Sequence, residues 1–259
     1  MGNSTVIIDA YNPYEGRFPN RTVISREELH VIKTLRTNGI EYKIRSKYSG
    51  GLYILSQKNF ESLLSDPILL TLYNIGVGVA ASYVYSALNG TKELSNKLFI
   101  KNKDGEVFDY EGKPLDQDTI KQVTNSMLKA QSDFSKTTLS HGPYPDLPHP
   151  VHLEHTPRIV GWCNIVTDSH GLKADPVKIT CDETWQRIEE KQLQGLSIGG
   201  LTSNSLCSIC GDSYTDCNHI TGKQYDGLDC TCEIKSFEIA EVSVVCNPAN
   251  NLCGIDISK

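Results

Sequence analysis

A cysteine-rich segment constrains this chain more than any other feature. Five of its nine cysteines crowd into one short stretch, at Cys207, Cys210, Cys217, Cys230 and Cys232. A Cys-x-x-Cys turn followed seven residues later by Cys-x-His supplies four ligands at spacings that a tetrahedral Zn²⁺ accepts. We therefore predict a structural zinc site of Cys207, Cys210, Cys217 and His219, with Cys230 or Cys232 as competitors for the fourth ligand position. Free thiols or a redox pair are the alternative.

The composition indicates the class of protein and its compartment. With 39% hydrophobic and 22% charged residues among 259, the chain is globular and long enough to bury a core. Cysteines at ligand spacing favour a reducing compartment over a disulfide framework, and the N-terminus lacks a signal-peptide pattern, so we expect a cytoplasmic protein. The net charge of -6 argues against a nucleic-acid partner.

The N-terminal part, residues 1–134, is predicted to be an α+β domain of unknown role. Ser25 and Glu28 form a capping box ahead of apolar residues at helical spacing, which predicts a helix over 26–37 that ends at Gly39. Further patterns predict a hairpin around Gly50-Gly51, a strand pair over 98–110 and a helix over 117–134.

An uncharged, mostly apolar stretch runs from Pro67 to Gly90. Its length suits a membrane-spanning helix, but polar residues and tyrosines dilute it and no basic cluster flanks it. We favour a buried or oligomer-forming helix, and hence a homo-oligomer, over a membrane segment.

A proline-rich stretch over 135–150 indicates a linker or an extended arm. Residues 151–259 then show short strand patterns, with a cysteine-rich insertion at 204–232. The expected fold class is therefore α+β, with a β-rich C-terminal domain.

A serine flanked by glycines lies in this second domain, in Gln194-Gly195-Leu196-Ser197-Ile198-Gly199-Gly200. Glycines allow backbone or substrate to approach closely, so Ser197 is a candidate nucleophile. The run lacks the G-x-S-x-G spacing of the hydrolase nucleophile elbow, so by itself it is a weak signal.

Four short motifs in order strengthen it: His149-Pro150-Val151-His152-Leu153-Glu154-His155 with Ile159-Val160-Gly161-Trp162, Asp168-Ser169-His170-Gly171-Leu172, Gly195-Leu196-Ser197-Ile198-Gly199, and Ala240-Glu241-Val242-Ser243-Val244-Val245 with Pro248-Ala249-Asn250. Over residues 147–256 this order resembles the prohead (capsid-maturation) serine proteases of tailed bacteriophages, which are related in fold to the herpesvirus assemblins. The resemblance implies an assemblin-like β-barrel, with His155, Ser197 and Glu241 as the catalytic residues. Glu238 and His152 are the fallback acid and base.

The resemblance further implies a serine endopeptidase that cleaves scaffold or capsid protein, and often itself, inside the prohead or the host cytoplasm. Two alternatives stay open: a non-catalytic, zinc-stabilised interaction module, and a host-encoded protease effector with a membrane-active N-terminal domain. The zinc insertion and residues 1–134 have no counterpart in the family pattern.

Three histidines, His149, His152 and His155, suggest a rival metal site. Side chains three residues apart on a strand point to opposite faces, and Pro150 disfavours a helix that would bring them together. We therefore favour the catalytic role for His155.

Overall fold

The computed structural model describes residues 5–56, 68–73, 98–102, 104, 106–109, 113–121, 142–169, 171–248 and 253–257. Within them, helices combine with two main β-sheets, which confirms the α+β class.

The smaller of these two sheets has five strands. They are β1 (Thr5–Asp9), β3 (Glu41–Arg45), β5 (Ile68–Tyr73), β6 (Leu98–Lys101) and β7 (Val107–Asp109), in the spatial order β3-β1-β5-β6-β7. The antiparallel pair of β6 and β7 confirms the strand pair predicted over 98–110.

The larger sheet has seven strands. They are β2 (Thr22–Ile24), β4 (Leu52–Ser56), β8 (His149–Leu153), β9 (Ile159–Asp168), β10 (Gly171–Ile179), β11 (Gly195–Cys207) and β14 (Cys232–Val245), in the order β10-β9-β8-β14-β11-β4-β2. Residues on both sides of the predicted 135–150 linker therefore contribute to one sheet, while the division into domains stays a prediction. Across the described strands this sheet is open, with β10 and β2 at its edges, and does not close into the predicted barrel.

Helix α1 (Arg26–Thr37) begins as predicted. The Ser25 hydroxyl accepts a hydrogen bond from the Glu28 N–H, and the Glu28 side chain accepts one from the Ser25 N–H. Gly39 follows the helix with φ +67°, a left-handed conformation that glycine adopts without steric cost. The buried face of α1 packs against β1 and against the cysteine-rich insertion.

Two local predictions in the N-terminal part are wrong. The strands β3 and β4 do not form a hairpin, because β3 pairs with β1 in the small sheet whereas β4 pairs with β2 and β11 in the large one. The start of the predicted 67–90 helix is strand β5. A short apolar run suits a buried strand as well as a helix, and strand pairing decides here. Residues 74–90 lie outside the described part of the chain.

Other predicted segments are described in part. Residues 117–121 are helical, and the rest of the helix predicted to 134 lies outside the described residues. None of the described helices combines the length and the apolar character needed to cross a bilayer.

One hydrophobic core of the large sheet lies on the face opposite the one that carries Ser197 and Glu241. Helix α2 (Asp182–Glu189) and the residues after it place Ile188 and Leu193 against Val151, Val242 and Val244. The cysteine-rich insertion contains a two-stranded ribbon of β12 (Gln224–Tyr225) and β13 (Leu228–Asp229).

Candidate catalytic site and Cys/His cluster

Paired strands β11 and β14 place Ser197 and Glu241 on one face of the sheet. Ser197 lies opposite Ser243, and Gly199 lies opposite Glu241. Side chains two residues apart on a strand share a face, so the serine and the glutamate lie diagonally across the strand pair. Val242 and Val244 alternate with Glu241 and Ser243 along β14, and they point to the core on the other face.

His155 reaches the same face from a tight turn after β8. Strand β8 runs parallel to β14, with His152 opposite Ser243. The turn places Glu154 and His155 at φ 50° and 56°, a left-handed conformation that costs a non-glycine residue about 1 kcal/mol or more. The His155 N–H donates to the Ser243 hydroxyl at 3.2 Å, which helps to hold the turn.

The three side chains form a continuous hydrogen-bonded series. The Nε2 atom of His155 lies 3.0 Å from Ser197 Oγ, and its Nδ1 atom lies 2.5 Å from Glu241 Oε1. A carboxylate can only accept, so Nδ1 carries the proton and Nε2 accepts the bond from the Ser197 hydroxyl. His155 and Glu241 are 0% and 1% exposed, and Ser197 is 8% exposed. A serine hydroxyl held in this way can lose its proton to the imidazole as it attacks an electrophile.

The fallback acid, Glu238, has a different partner. Its carboxylate forms a bidentate ion pair with Arg21, with Nη2 2.9 Å from Oε2 and a second bond from Nη1 to Oε1. The structure therefore brings Glu241, not Glu238, to the imidazole.

The histidines His149 and His152 do not converge with His155. The Nδ1 atom of His152 lies 2.7 Å from the carbonyl oxygen of Thr156 and 3.9 Å from Glu241 Oε2. His149 Nδ1 lies 3.3 Å from Arg17 Nη2. His152 and His155 both face Glu241, whereas His149 faces Arg17, and the three imidazoles do not form a group at ligand distance within the described residues.

Sequence reasoning missed Tyr14 as a residue of this site. Tyr14 is fully buried and forms a hydrogen bond with Glu241. Burial, together with the charge of Glu241 and the bond to it, raises the pKa of Tyr14 well above its ordinary value, so the phenol stays protonated and donates a hydrogen bond to the carboxylate. No local pattern marks Tyr14 in the sequence.

Gly199 makes room for these groups. A Cβ atom at this position would lie 2.7 Å from the Tyr14 hydroxyl and would collide with Glu241 Oε1. Gly199, one of the glycines in the run around Ser197, therefore makes room for the Glu241 carboxylate rather than for the nucleophile.

The four predicted metal ligands also come together. Cys207, Cys210, Cys217 and His219 each place a ligand atom within 4.8 Å of every other. All nine cysteines lie in the described part of the chain, and all are free thiols. The group can therefore hold a metal ion.

The surroundings of the cluster fit a bound cation. The Ile209 N–H donates to Cys207 Sγ at 3.4 Å, as in turns that present thiolates to metals. Burial opposes ionisation of Cys207, but backbone N–H groups of Cys210 and Ile209 and neighbouring thiols outweigh it and lower its pKa to about 6. The buried Nδ1 atom of His219 makes no hydrogen bond within the described residues, so it is available to bind a ligand.

Basic side chains of α1 bind the loop that carries the cluster. Lys33 is buried and its ammonium donates to the His219 carbonyl at 2.5 Å, lies 3.4 Å from Cys217 Sγ and lies over the ring of Tyr214. Arg36 donates to the carbonyls of Thr215 and Asp216. The N-terminal helix and the cysteine-rich insertion are thus one packed unit.

Cys230 and Cys232 lie outside the four-residue group. Cys230 Sγ is 3.8 Å from Cys207 Sγ, but burial raises the pKa of Cys230 to about 12, which favours a neutral thiol. Burial also raises the pKa of Cys232. His219, whose ligand atom lies within 4.8 Å of those of Cys207, Cys210 and Cys217, is the fourth member of the group.

Comparison of the chain with protein-family models, with curated proteins and with solved structures gave no match.

Proposed function

We propose that this chain is a serine endopeptidase that uses Ser197 as nucleophile, His155 as general base and acid, and Glu241 to orient the imidazole. The observation that supports the proposal is the buried series of hydrogen bonds from Ser197 Oγ through His155 to Glu241. Residues 42 and 86 positions apart in the chain meet at this point, and each has the chemical role that nucleophilic catalysis requires.

The reaction would begin with attack of Ser197 Oγ on the carbonyl carbon of a peptide bond. The hydroxyl proton moves to His155 Nε2, while Glu241 accepts the hydrogen bond of Nδ1–H and stabilises the imidazolium. The imidazolium then gives its Nε2 proton to the departing amine, and the C–N bond breaks to leave an acyl ester on Ser197. Water then attacks the ester and gives a proton to His155 Nε2, which passes that proton to Ser197 Oγ as the ester C–O bond breaks and the carboxylic acid leaves.

Burial favours this chemistry. Glu241 and His155 are shielded from water, where a fixed carboxylate stabilises a developing positive charge more strongly than in solvent.

We propose that the Cys/His cluster binds one structural Zn²⁺ ion. Four protein ligands, Cys207, Cys210, Cys217 and His219, fill a tetrahedral zinc and leave no position for a reacting water. The bound metal would join Cys207 and Cys210 to Cys217 and His219 within the cysteine-rich insertion. We therefore assign it a role in folding.

The resemblance to prohead proteases extends the proposal to biology. It suggests an assemblin-like peptidase that cleaves scaffold or capsid protein and itself, and that assembles as a homo-oligomer. Residues 1–134 and the zinc insertion would be additions to that family pattern.

The test is covalent labelling of the purified full-length chain by a fluorophosphonate, followed by intact-mass measurement. Wild type should gain the mass of one phosphonyl group, whereas Ser197→Ala should gain none. The matched control is Ser203→Ala, which removes an exposed hydroxyl from the same strand and should label like wild type. Equal labelling of wild type and Ser197→Ala would reject Ser197 as the nucleophile, and absence of labelling in wild type would favour the interaction module.

A further inference from the structure

A segment between β1 and β2 crosses over the catalytic face of the sheet. We call residues 12–21 the strap. Its fold is set locally, because Asn12 Oδ1 accepts the Tyr14 N–H at 3.0 Å and Asn12 Nδ2 donates to the Phe18 carbonyl at 2.8 Å. These bonds fix a turn that directs Tyr14 inward, where it is fully buried.

Two arginines that follow Tyr14 in the strap bind it to β14. Arg17 Nη1 donates to the Ala240 carbonyl at 3.0 Å. Arg21 forms its bidentate pair with Glu238 and lies over the rings of Phe18 and Tyr53. A planar guanidinium with two fixed bonds restricts orientation as well as distance, so the strap has a defined register along β14.

The strap meets β14 at an irregularity in the sheet. Gly199 pairs with Glu241 but Gly200 pairs with Ile239, so Ala240 is an extra residue in β14. A bulge of this kind turns the strand and redirects the neighbouring side chain, here Glu241. The carbonyl of the extra residue is the group that Arg17 binds.

We propose that Tyr14 is a positioning residue of the catalytic centre: its hydroxyl, delivered by the strap, holds the Glu241 carboxylate in the orientation that His155 requires. The inference rests on the proposed peptidase function. The Tyr14 hydroxyl and Glu241 Oε1 converge on the space above Gly199, and Oε1 is the atom bonded to His155 Nδ1. A catalytic unit of this kind needs the N-terminal strap as well as the strands that carry Ser197, His155 and Glu241.

A double-mutant cycle on the full-length chain tests this role. Tyr14→Phe keeps the ring and removes the hydroxyl, and it should slow fluorophosphonate labelling of Ser197 about 10-fold, the loss expected for one hydrogen bond to a charged group. In a Glu241→Gln background the same change should have less than about a 2-fold effect, because Tyr14 acts through the carboxylate. A purely structural role would give the same fold-change in both backgrounds.

The matched control is Tyr42→Phe, which removes a hydroxyl that accepts a hydrogen bond from Arg36 in the N-terminal part, and it should label at the wild-type rate. Thermal melts of all variants check that they are folded. If Tyr14→Phe labels as fast as wild type, the role of Tyr14 is rejected while the peptidase proposal stands. The same holds if Tyr14→Phe slows labelling by an equal factor in the wild-type and Glu241→Gln backgrounds. If wild type does not label, both fail together.

Discussion

Gly199 lies opposite Glu241 in the paired strands β11 and β14, and a side chain at this glycine would enter the space that the Glu241 carboxylate occupies. The nucleophile strand therefore also shapes the site of the acid. A methyl group there would displace the carboxylate or the Tyr14 hydroxyl above it.

We predict that Gly199→Ala lowers the labelling rate of Ser197 by about 100-fold or more, since misplacement of a catalytic group by about 1 Å has that effect. The measurement is the rate of fluorophosphonate labelling alongside a thermal melt. Gly254→Ala is the control, because a Cβ atom at Gly254 meets no other atom within 4 Å, and it should behave as wild type. Wild-type labelling by a folded Gly199→Ala would contradict the assigned position of Glu241.

The identity of the acid can be tested by comparing two glutamates on β14. Glu241→Gln should reduce labelling by about 10³-fold or more, because an amide can no longer stabilise the imidazolium or hold the correct tautomer. Glu238→Gln should cost at most about 10-fold, because its loss weakens only the Arg21 anchor. The reverse order of effects would assign the acid to Glu238.

Local patterns predicted the parts of this fold that local interactions decide. The capping box at Ser25 and Glu28 identified the start of α1, because both of its hydrogen bonds lie within four residues. Cysteine spacing identified the members of the Cys/His cluster for a similar reason, since all four lie within one short segment of the chain. Motif order named the residues of the candidate triad, and the structure places them in hydrogen-bonding contact.

Long-range strand pairing was beyond the same reasoning. The Gly50-Gly51 turn indicated a hairpin, yet β3 and β4 belong to different sheets, and the choice depends on partners far along the chain. Tyr14 contacts Glu241 because the strap crosses β14, more than 200 residues further along the chain. No periodicity near Tyr14 encodes that contact, so the N-terminal contribution to the site is visible only in the structure.

Loss of one ligand should unfold the cysteine-rich insertion. We predict that the purified protein carries one zinc per chain, and that Cys217→Ser loses the metal and lowers the melting temperature by about 10 °C, as a loss of a few kcal/mol would in a chain of this size. Native mass spectrometry measures the metal, and a thermal melt measures the stability.

Two controls make the zinc prediction specific. Cys246→Ser changes an exposed thiol outside the cluster and should keep both the metal and the melting temperature. A strong chelator should lower the melting temperature of wild type and of Cys246→Ser, and leave that of Cys217→Ser unchanged. A metal-free wild type with the same melting temperature as Cys217→Ser would show that the cluster is a set of free thiols.

The capping box gives a prediction for stability against pH. Burial raises the pKa of Glu28 from an ordinary value of 4.5 to about 7, although bonds from the Ser25 N–H and hydroxyl oppose the shift. Between these two values the folded chain binds the proton more tightly than the unfolded chain, so stability falls as the pH rises through this window. The shift corresponds to about 3 kcal/mol at most. Glu28→Gln cannot ionise but still accepts the Ser25 N–H, so it should gain stability relative to wild type as the pH rises from about 5 to about 8.

Denaturant unfolding at both pH values measures this difference, and the comparison of variant with wild type cancels the other titrating groups. Glu41→Gln, at an exposed position of β3, is the control and should follow wild type at both pH values. Because the neutral carboxyl and the amide have nearly the same shape, the two proteins should be almost equally stable below about pH 4, where Glu28 is protonated in both the folded and the unfolded chain. A constant difference between Glu28→Gln and wild type at the two pH values would mean that Glu28 keeps an ordinary pKa inside the capping box, with water reaching its carboxylate.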